Sequence, residues 1–166
     1  NIEEQSLILK NAGVDLIILE MMIDIDRMIA TLEGSLQSKI PVWVGLSCKV
    51  NELGKPCLLN GESIKDAVIE IKKRNVPLIN IMHTEVEYVS SCLNAINNLW
   101  QKPIGVYAHS QKNKSQYWHE DSSISPKEYA KYCKGWLEKG VNLIGGCCGL
   151  HKQHILELRK LLSNYN

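Results

Sequence analysis

The chain has no apolar stretch that approaches the roughly 20 residues needed to cross a bilayer, so no transmembrane span is expected. It also lacks an excess of either charge, with 19 Lys and Arg against 18 Asp and Glu. This balance gives no reason to expect nucleic acid or an anionic membrane as a partner. The first residues, 1–4, show neither signal-peptide character nor an initiator methionine. We therefore expect a cytoplasmic protein whose sequence is cut from a longer one.

Two nucleotide-binding signatures are missing as well. The sequence contains no Gly-x-Gly-x-x-Gly and no glycine-rich phosphate loop after its first predicted strand, so nucleotide binding is unsupported. It contains six cysteines but no Cys-x-x-Cys, and without a secretory signal we expect free thiols rather than a disulfide framework. With 166 residues, of which 45% are hydrophobic, residues 1–166 are expected to form a single domain.

What the chain does contain is a regular alternation of apolar runs and helical patterns. The five apolar runs are residues 14–19, 41–46, 76–82, 103–108 and 141–144. Near-continuous apolar runs are typical of strands that are covered on both faces. Alternation with helices predicts an α/β fold with a parallel sheet and right-handed crossovers. Five strands complete a doubly wound sheet but only part of a (β/α)₈ barrel, so the residues leave both architectures open.

Several helix starts are marked by capping residues. Asp24 and Ser63 are predicted N-caps, and Ser125 opens a capping box with a proline at the first helical position. A second capping box is predicted at 84–87, where Thr84 would begin a helix. The longest irregular stretch, 109–125, follows a strand end, where long loops are more often functional than idle.

The sequence Gly-Gly-Cys-Cys-Gly at 145–149 is the most informative local motif. Adjacent cysteines rarely reach the geometry of a disulfide, and the flanking glycines allow a sharp turn and close approach. Such a thiol pair is well placed to hold a soft metal, with zinc as the favoured ion. The alternative is two small buried hydrophobic residues at a strand end.

Further ligands are expected beyond the carboxyl ends of the parallel strands, where α/β folds place their working residues. His83 supplies an imidazole there, and two thiolates with one imidazole would leave a fourth coordination position open, as in catalytic zinc sites. The alternative for His83 is a hydrogen bond to nearby backbone. His109 is interpreted as a fourth ligand, a substrate contact or neither, whereas His151 and His154 are interpreted as a solvated helix face.

Glu20 stands at the end of an apolar strand, where a charge needs a partner: either a substrate amine or a neighbouring side chain.

Several of these stretches resemble the homocysteine S-methyltransferase family, the zinc-dependent barrels that include betaine- and S-methylmethionine-using enzymes. The resemblance runs through nearly the whole chain, and the motif at 144–149 is its most specific part. The other matching stretches are 12–20, 42–47, 59–63, 106–110, and the positions of Trp136 and Gly140.

The resemblance implies a TIM-type parallel (β/α) barrel of which this chain supplies strands four to eight. It implies zinc on His83, Cys147 and Cys148, and methyl transfer from a sulfonium or quaternary ammonium donor to homocysteine, giving methionine. Glu20 would bind the homocysteine amino group, with Ser47 as a nearby polar contact. Tyr107 or Trp118 would hold the donor cation through an aromatic face. Unpaired sheet edges would call for missing sequence, a rearranged sheet, a complementing chain or a homo-oligomer.

The departures from the family pattern concentrate at the site. His83 stands where the family has its third zinc cysteine, with Met82 in place of Asn and Asn80 in place of Gly. Met21 replaces a Thr, and 108, 109 and 111 replace Pro, Asn and Gly. A His/Cys/Cys set resembles that of the cobalamin-independent methionine synthases. The alternative is a diverged, non-catalytic relative that binds a small thiol or a partner chain.

Overall fold

The computed structural model describes residues 1–110 and 124–163, which contain six strands and six helices. The strands are β1 (Ile17–Met22), β2 (Val42–Val50), β3 (Pro56–Leu58), β4 (Ile79–Glu85), β5 (Ile104–His109) and β6 (Leu143–Ile144). The helices are α1 (Ile2–Asn11), α2 (Ile25–Leu36), α3 (Ile64–Lys72), α4 (Val86–Asn97), α5 (Pro126–Glu138) and α6 (Lys152–Ser163). Within the described ranges, no helix combines the length and apolarity needed to cross a membrane.

The order of the strands decides between the two architectures. Strands β1, β2, β4, β5 and β6 pair in parallel in their chain order, and β3 forms an antiparallel pair with β2. A doubly wound sheet reverses its strand order at a switch point, whereas a (β/α) barrel adds each strand beside the previous one. The prediction of a partial TIM-type barrel is therefore confirmed. The three-residue β3 was not predicted, because so short a segment carries no readable period.

The two faces of the sheet have different chemistry. Right-handed crossovers between neighbouring strands put the connecting helices, α2 to α5, on one face. On that face Val44, Ile79 and Val106 are fully buried in the hydrophobic core. The other face would line the inside of a barrel. Its registered neighbours are Gly45, Asn80 and Gly105, and one layer higher Ser47, Met82 and Tyr107.

Three of the predicted helix starts are confirmed. The side chains of Asp24, Ser63 and Ser125 each accept a hydrogen bond from the backbone N–H three residues later. These caps satisfy backbone donors that a helix leaves unpaired in its first turn.

The capping box at Thr84 is wrong. Thr84 is fully buried within β4, where its Oγ1 donates to the Met82 carbonyl at 2.9 Å and accepts from the Cys48 N–H at 3.0 Å. Helix α4 begins later, at Val86, and Glu85 occupies its N-cap position without a side-chain capping bond. The hydroxyl that fits the capping pattern is used to join two strands.

Substitution of Gly105 tests the packing of the inner face. A Cβ at this position would lie 2.0 Å from Oδ1 of the fully buried Asn80. We predict that Gly105→Ala lowers the free energy of unfolding by about 1–3 kcal/mol because of overpacking, and that adding Asn80→Ala removes most of this cost. Urea denaturation measures both effects. Gly135→Ala, where the added Cβ meets no atom beyond its own helix backbone within 4 Å, is the control and should not destabilise. If Gly105→Ala lowered the free energy of unfolding equally with and without the Asn80 side chain, the predicted clash with Asn80 would be contradicted.

Candidate metal centre

The cysteine turn is held at the carboxyl edge of the sheet. After β6 the chain continues beside β5, and backbone hydrogen bonds extend the parallel ladder through the turn. These bonds run from Gly145 N–H to Val106 O (2.9 Å), from Cys147 N–H to Ala108 O (2.9 Å) and from Ser110 N–H to Cys148 O (3.1 Å). The turn is therefore fixed by main-chain pairing as well as by its glycines.

Tyr129 supports the same turn from helix α5. Its hydroxyl donates a 2.7 Å hydrogen bond to the Gly145 carbonyl, and its buried ring packs edge-on against Trp136. Burial raises the pKa of Tyr129 far above its usual value, so the hydroxyl stays a donor. The sequence places Tyr129 on the buried face of this helix but does not reveal the bond. The sequence feature that could have indicated this bond is the tyrosine itself, because a buried tyrosine hydroxyl needs a hydrogen-bond partner.

His83 lies in a bulge of β4. The register with β5 shifts between Met82 and Glu85, and His83 has a φ of 43°. Left-handed backbone is uncommon for residues other than glycine, and such conformations concentrate at functional sites. The bulge turns the imidazole toward the cysteine turn, which lies 64 residues further along the chain.

The three predicted ligands meet at this point. Nδ1 of His83 lies 3.8 Å from Sγ of Cys147 and 3.6 Å from Sγ of Cys148, and the two sulfurs are 3.7 Å apart. A tetrahedral zinc ion with ordinary bond lengths separates two sulfur ligands by about 3.8 Å and a sulfur from a nitrogen by about 3.5 Å. The three donor atoms are therefore spaced to hold one ion. Among the described residues, His83, Cys147 and Cys148 form the group of His, Cys, Asp or Glu side chains close enough to share a metal.

Burial, with smaller contributions from neighbouring charges, favours the uncharged forms of Cys147 and His83. Burial, together with the neighbouring Cys148 thiol and the Glu20 carboxylate, raises the pKa of Cys147 to about 11. Burial also lowers the pKa of His83, and His109 adds to this while Glu85 opposes it. The imidazole is therefore neutral and able to coordinate at neutral pH, whereas Cys147 needs a cation to become a thiolate.

Glu20 lies within electrostatic reach of this centre. It is exposed at the carboxyl end of β1, and its charge contributes to the raised pKa of both Cys147 and Tyr107. Burial is the larger cause for Tyr107. The structure therefore brings the one predicted substrate carboxylate close to the thiols and to the inner-face tyrosine.

Ser47 lies among sulfur atoms on the inner face. It is fully buried, and its Oγ is 3.1 Å from Sδ of Met82 and 3.4 Å from Sδ of Met21. Met21 occupies a second bulge, with a φ of 57°, and its N–H donates to Sδ of Met82 at 3.2 Å. Two positions at which the chain departs from the family pattern, 21 and 82, thus contact one another.

The remaining histidines have separate roles. His109 lies outside the ligand group but packs against His83. The interpretation of a solvated helix face is wrong for His154, which is 2% exposed. Its Nδ1 accepts from the His151 N–H at 3.0 Å and its Nε2 is 3.1 Å from the Ile124 carbonyl. His154 therefore joins the start of α6 to the chain before α5. Trp118 and Gln111 lie outside the described residues.

Comparisons with known proteins agree with this fold. The profile of the family described as Homocysteine S-methyltransferase matches residues 2–162. Homocysteine S-methyltransferase 2 of Arabidopsis thaliana is 28% identical over 95% of this chain and 48% of its own length. Selenocysteine Se-methyltransferase of Brassica oleracea var. italica is 28% identical over 75% of this chain and 36% of its own.

A solved structure shows the same fold. The metallated form of the homocysteine methyltransferase MmuM from Escherichia coli superposes with a TM-score of 0.69 and 21% identity. The match covers 95% of this chain and 51% of that protein. The chain therefore spans about half the length of the relatives that it matches.

Metal affinity should depend on pH in a defined direction. We predict that the Kd for Zn²⁺ falls as pH rises from about 6 to 8, by up to about 100-fold per unit if two thiols release protons. The sign follows because Cys147, with a pKa raised to about 11, is protonated before binding and deprotonated after it. Chelator competition measures the Kd, and calorimetry in buffers of different ionisation enthalpy measures the protons released. A Kd independent of pH would contradict a thiolate site.

Proposed function

Since this chain belongs to the homocysteine S-methyltransferase family, we propose that it transfers a methyl group to the thiol of homocysteine, giving methionine. The observation that carries the proposal is the mutual spacing of the His83, Cys147 and Cys148 donor atoms, 3.6–3.8 Å. The Arabidopsis relative is named for homocysteine, and the MmuM structure is of a metallated form. The proposed methyl donor is a sulfonium or quaternary ammonium compound.

We propose zinc as the metal, held by these three side chains with one coordination position left for substrate. When bound, zinc supplies the positive charge that keeps a substrate thiol deprotonated near neutral pH. Two thiolates and a neutral imidazole would balance the charge of the ion. The substrate thiol would therefore ionise more readily than with three cysteines, and its thiolate would be less nucleophilic. In the structure all six cysteines are free, and a reducing cytoplasm, the proposed location, would keep them so.

The side chains around the metal centre would bind the rest of the substrates. Glu20 is proposed to pair with the amino group of homocysteine, since its charge already acts on Cys147. Ser47 is proposed as a polar contact on the same face, next to the thioethers of Met21 and Met82. The face of Tyr107 would hold the positive charge of the donor through a cation–π contact. Trp118 is the alternative for that role.

The transfer itself is a displacement at carbon. The thiolate sulfur of homocysteine attacks the methyl carbon in line, and a new S–C bond forms. The bond from that carbon to the sulfonium sulfur or ammonium nitrogen breaks, and its electron pair stays with the donor, which leaves as a thioether or a tertiary amine. No proton moves in this step. The chain contributes by holding the two reacting atoms in line, and such positioning lowers the barrier substantially.

Two observations favour a second candidate, a non-catalytic relative that binds a small thiol or a partner chain. The inner face is partly open, with Ile18 41% exposed, and the chain spans about half the length of its relatives. A complementing chain or a second copy would cover this face. The two candidates differ in whether a metal is required.

Zinc content separates the two candidates. We predict about one zinc per chain in the reduced protein, and loss of nearly all of it in His83→Ala, because two thiolates alone do not complete a stable tetrahedral site. Elemental analysis after gel filtration measures the ratio. His151→Ala, which changes an exposed histidine outside the group of three donors, is the matched control and should keep its zinc. Metal-free wild type, reduced and supplied with zinc, would exclude the zinc-dependent mechanism.

Glu20 should affect substrate binding and leave the metal in place. We predict that Glu20→Gln raises the KM for homocysteine about tenfold, the effect of removing one charge-assisted hydrogen bond, with zinc content unchanged. Steady-state kinetics with a panel of methyl donors, on the full-length protein that carries this sequence, measures it. Glu3→Gln, at an exposed carboxylate in α1, is the control. An unchanged KM would remove Glu20 from the site.

A further inference from the structure

Glu85 and His109 form a pair beside the metal centre. The bulge in β4 shifts the register so that Glu85 faces His109 across the ladder. Nε2 of His109 lies 3.0 Å from Oε1 of Glu85. A carboxylate oxygen only accepts, so Nε2 carries the hydrogen and donates it. Among the described residues the buried Nδ1 of His109 has no hydrogen-bond partner, so Glu85 supplies the polar contact of this ring.

The carboxylate of Glu85 contacts His109 instead of capping the helix that follows it. Glu85 occupies the N-cap position of α4, where a side-chain oxygen often accepts from the first free N–H groups of the helix. Here no side-chain capping bond is made. The carboxylate therefore makes no capping hydrogen bond, and its hydrogen-bonding partner is His109.

His109 in turn contacts the imidazole of His83, the proposed metal ligand. The rings of His83 and His109 lie edge to face, with centroids 4.4 Å apart and an interplanar angle of 74°. The side chain of His109 is only 14% exposed. Both residues stand at positions where the chain departs from the family pattern, so the two departures are in direct contact.

We propose that Glu85 and His109 are positioning residues that fix the ring of His83 with Nδ1 toward Cys147 and Cys148. This inference rests on the proposed metal site and adds to it a support that the three ligands do not provide. A ring flip or rotation about the Cβ–Cγ bond of His83 would take Nδ1 away from the sulfurs, and the His109 ring stands against that movement. Contacts behind a metal ligand commonly change metal affinity 10–100-fold.

Cobalt binding tests the proposal without any assay of activity. Co²⁺ is titrated into the reduced apoprotein of wild type, Glu85→Ala, His109→Ala and the double variant. Absorbance follows the sulfur-to-cobalt charge-transfer band and the d–d bands, and chelator competition gives the Kd. Glu87→Ala, at an exposed carboxylate in the first turn of the same helix, is the matched control. Thermal unfolding of each apoprotein measures the fold independently.

The expected result has a specific pattern. His109→Ala weakens Co²⁺ binding about 10–100-fold and Glu85→Ala about tenfold, and the d–d bands shift while the thiolate band persists. The double variant binds no more weakly than His109→Ala, because Glu85 acts through His109. Glu87→Ala binds like wild type. Thermal stability of Glu85→Ala stays near that of wild type, which separates positioning from a structural role.

Three other results would overturn the proposal in distinguishable ways. Wild-type affinity in both single variants would show that His83 needs no support, and would leave the metal site intact. Additive losses in the double variant would show that Glu85 acts independently of His109. Failure of wild type itself to bind Co²⁺ would overturn the proposed metal site and this inference together.

Discussion

The main-chain pairing between the cysteine turn and the end of β5 is the interaction on which the site depends. Consecutive parallel strands lie side by side, so their carboxyl ends share one edge of the sheet. The ladder continues past β6, where Cys147 N–H binds the Ala108 carbonyl. This pairing carries both thiols to the edge at which β4 ends, and Tyr129 holds the turn from the helix layer. The backbone therefore sets the position of the thiols before any metal binds.

The bulge in β4 positions His83, the third proposed ligand. Side chains alternate across a regular strand, and Met82 already faces the inner side with Ser47 and Tyr107. Without the bulge, His83 would point toward the helices. The left-handed backbone at His83 instead brings its ring to the thiols, and the same shift in register places Glu85 opposite His109. One local distortion thus directs the His83 ring toward the thiols and brings Glu85 to His109.

Short sequence patterns were enough to predict part of this arrangement. Apolar runs predicted the five strands, and donor residues at strand ends predicted that His83 and the two cysteines would lie close together. The strand order was not decided by the residues alone, because sequential and doubly wound sheets share the same alternation. Thr84 fits a capping box, yet strand pairing buries it. The contact of Glu85 with His109 depends on a register shift, which spacing along the chain does not reveal.

In the proposed site, one imidazole and two thiolates hold one zinc ion and leave one position free for a thiol. X-ray absorption at the zinc edge, on zinc-loaded protein with and without homocysteine, tests it most directly. We expect two sulfur ligands at about 2.3 Å and lighter ligands at about 2.0–2.1 Å, with a third sulfur appearing when homocysteine is added. A first shell that contains no sulfur, or one that homocysteine leaves unchanged, would contradict it.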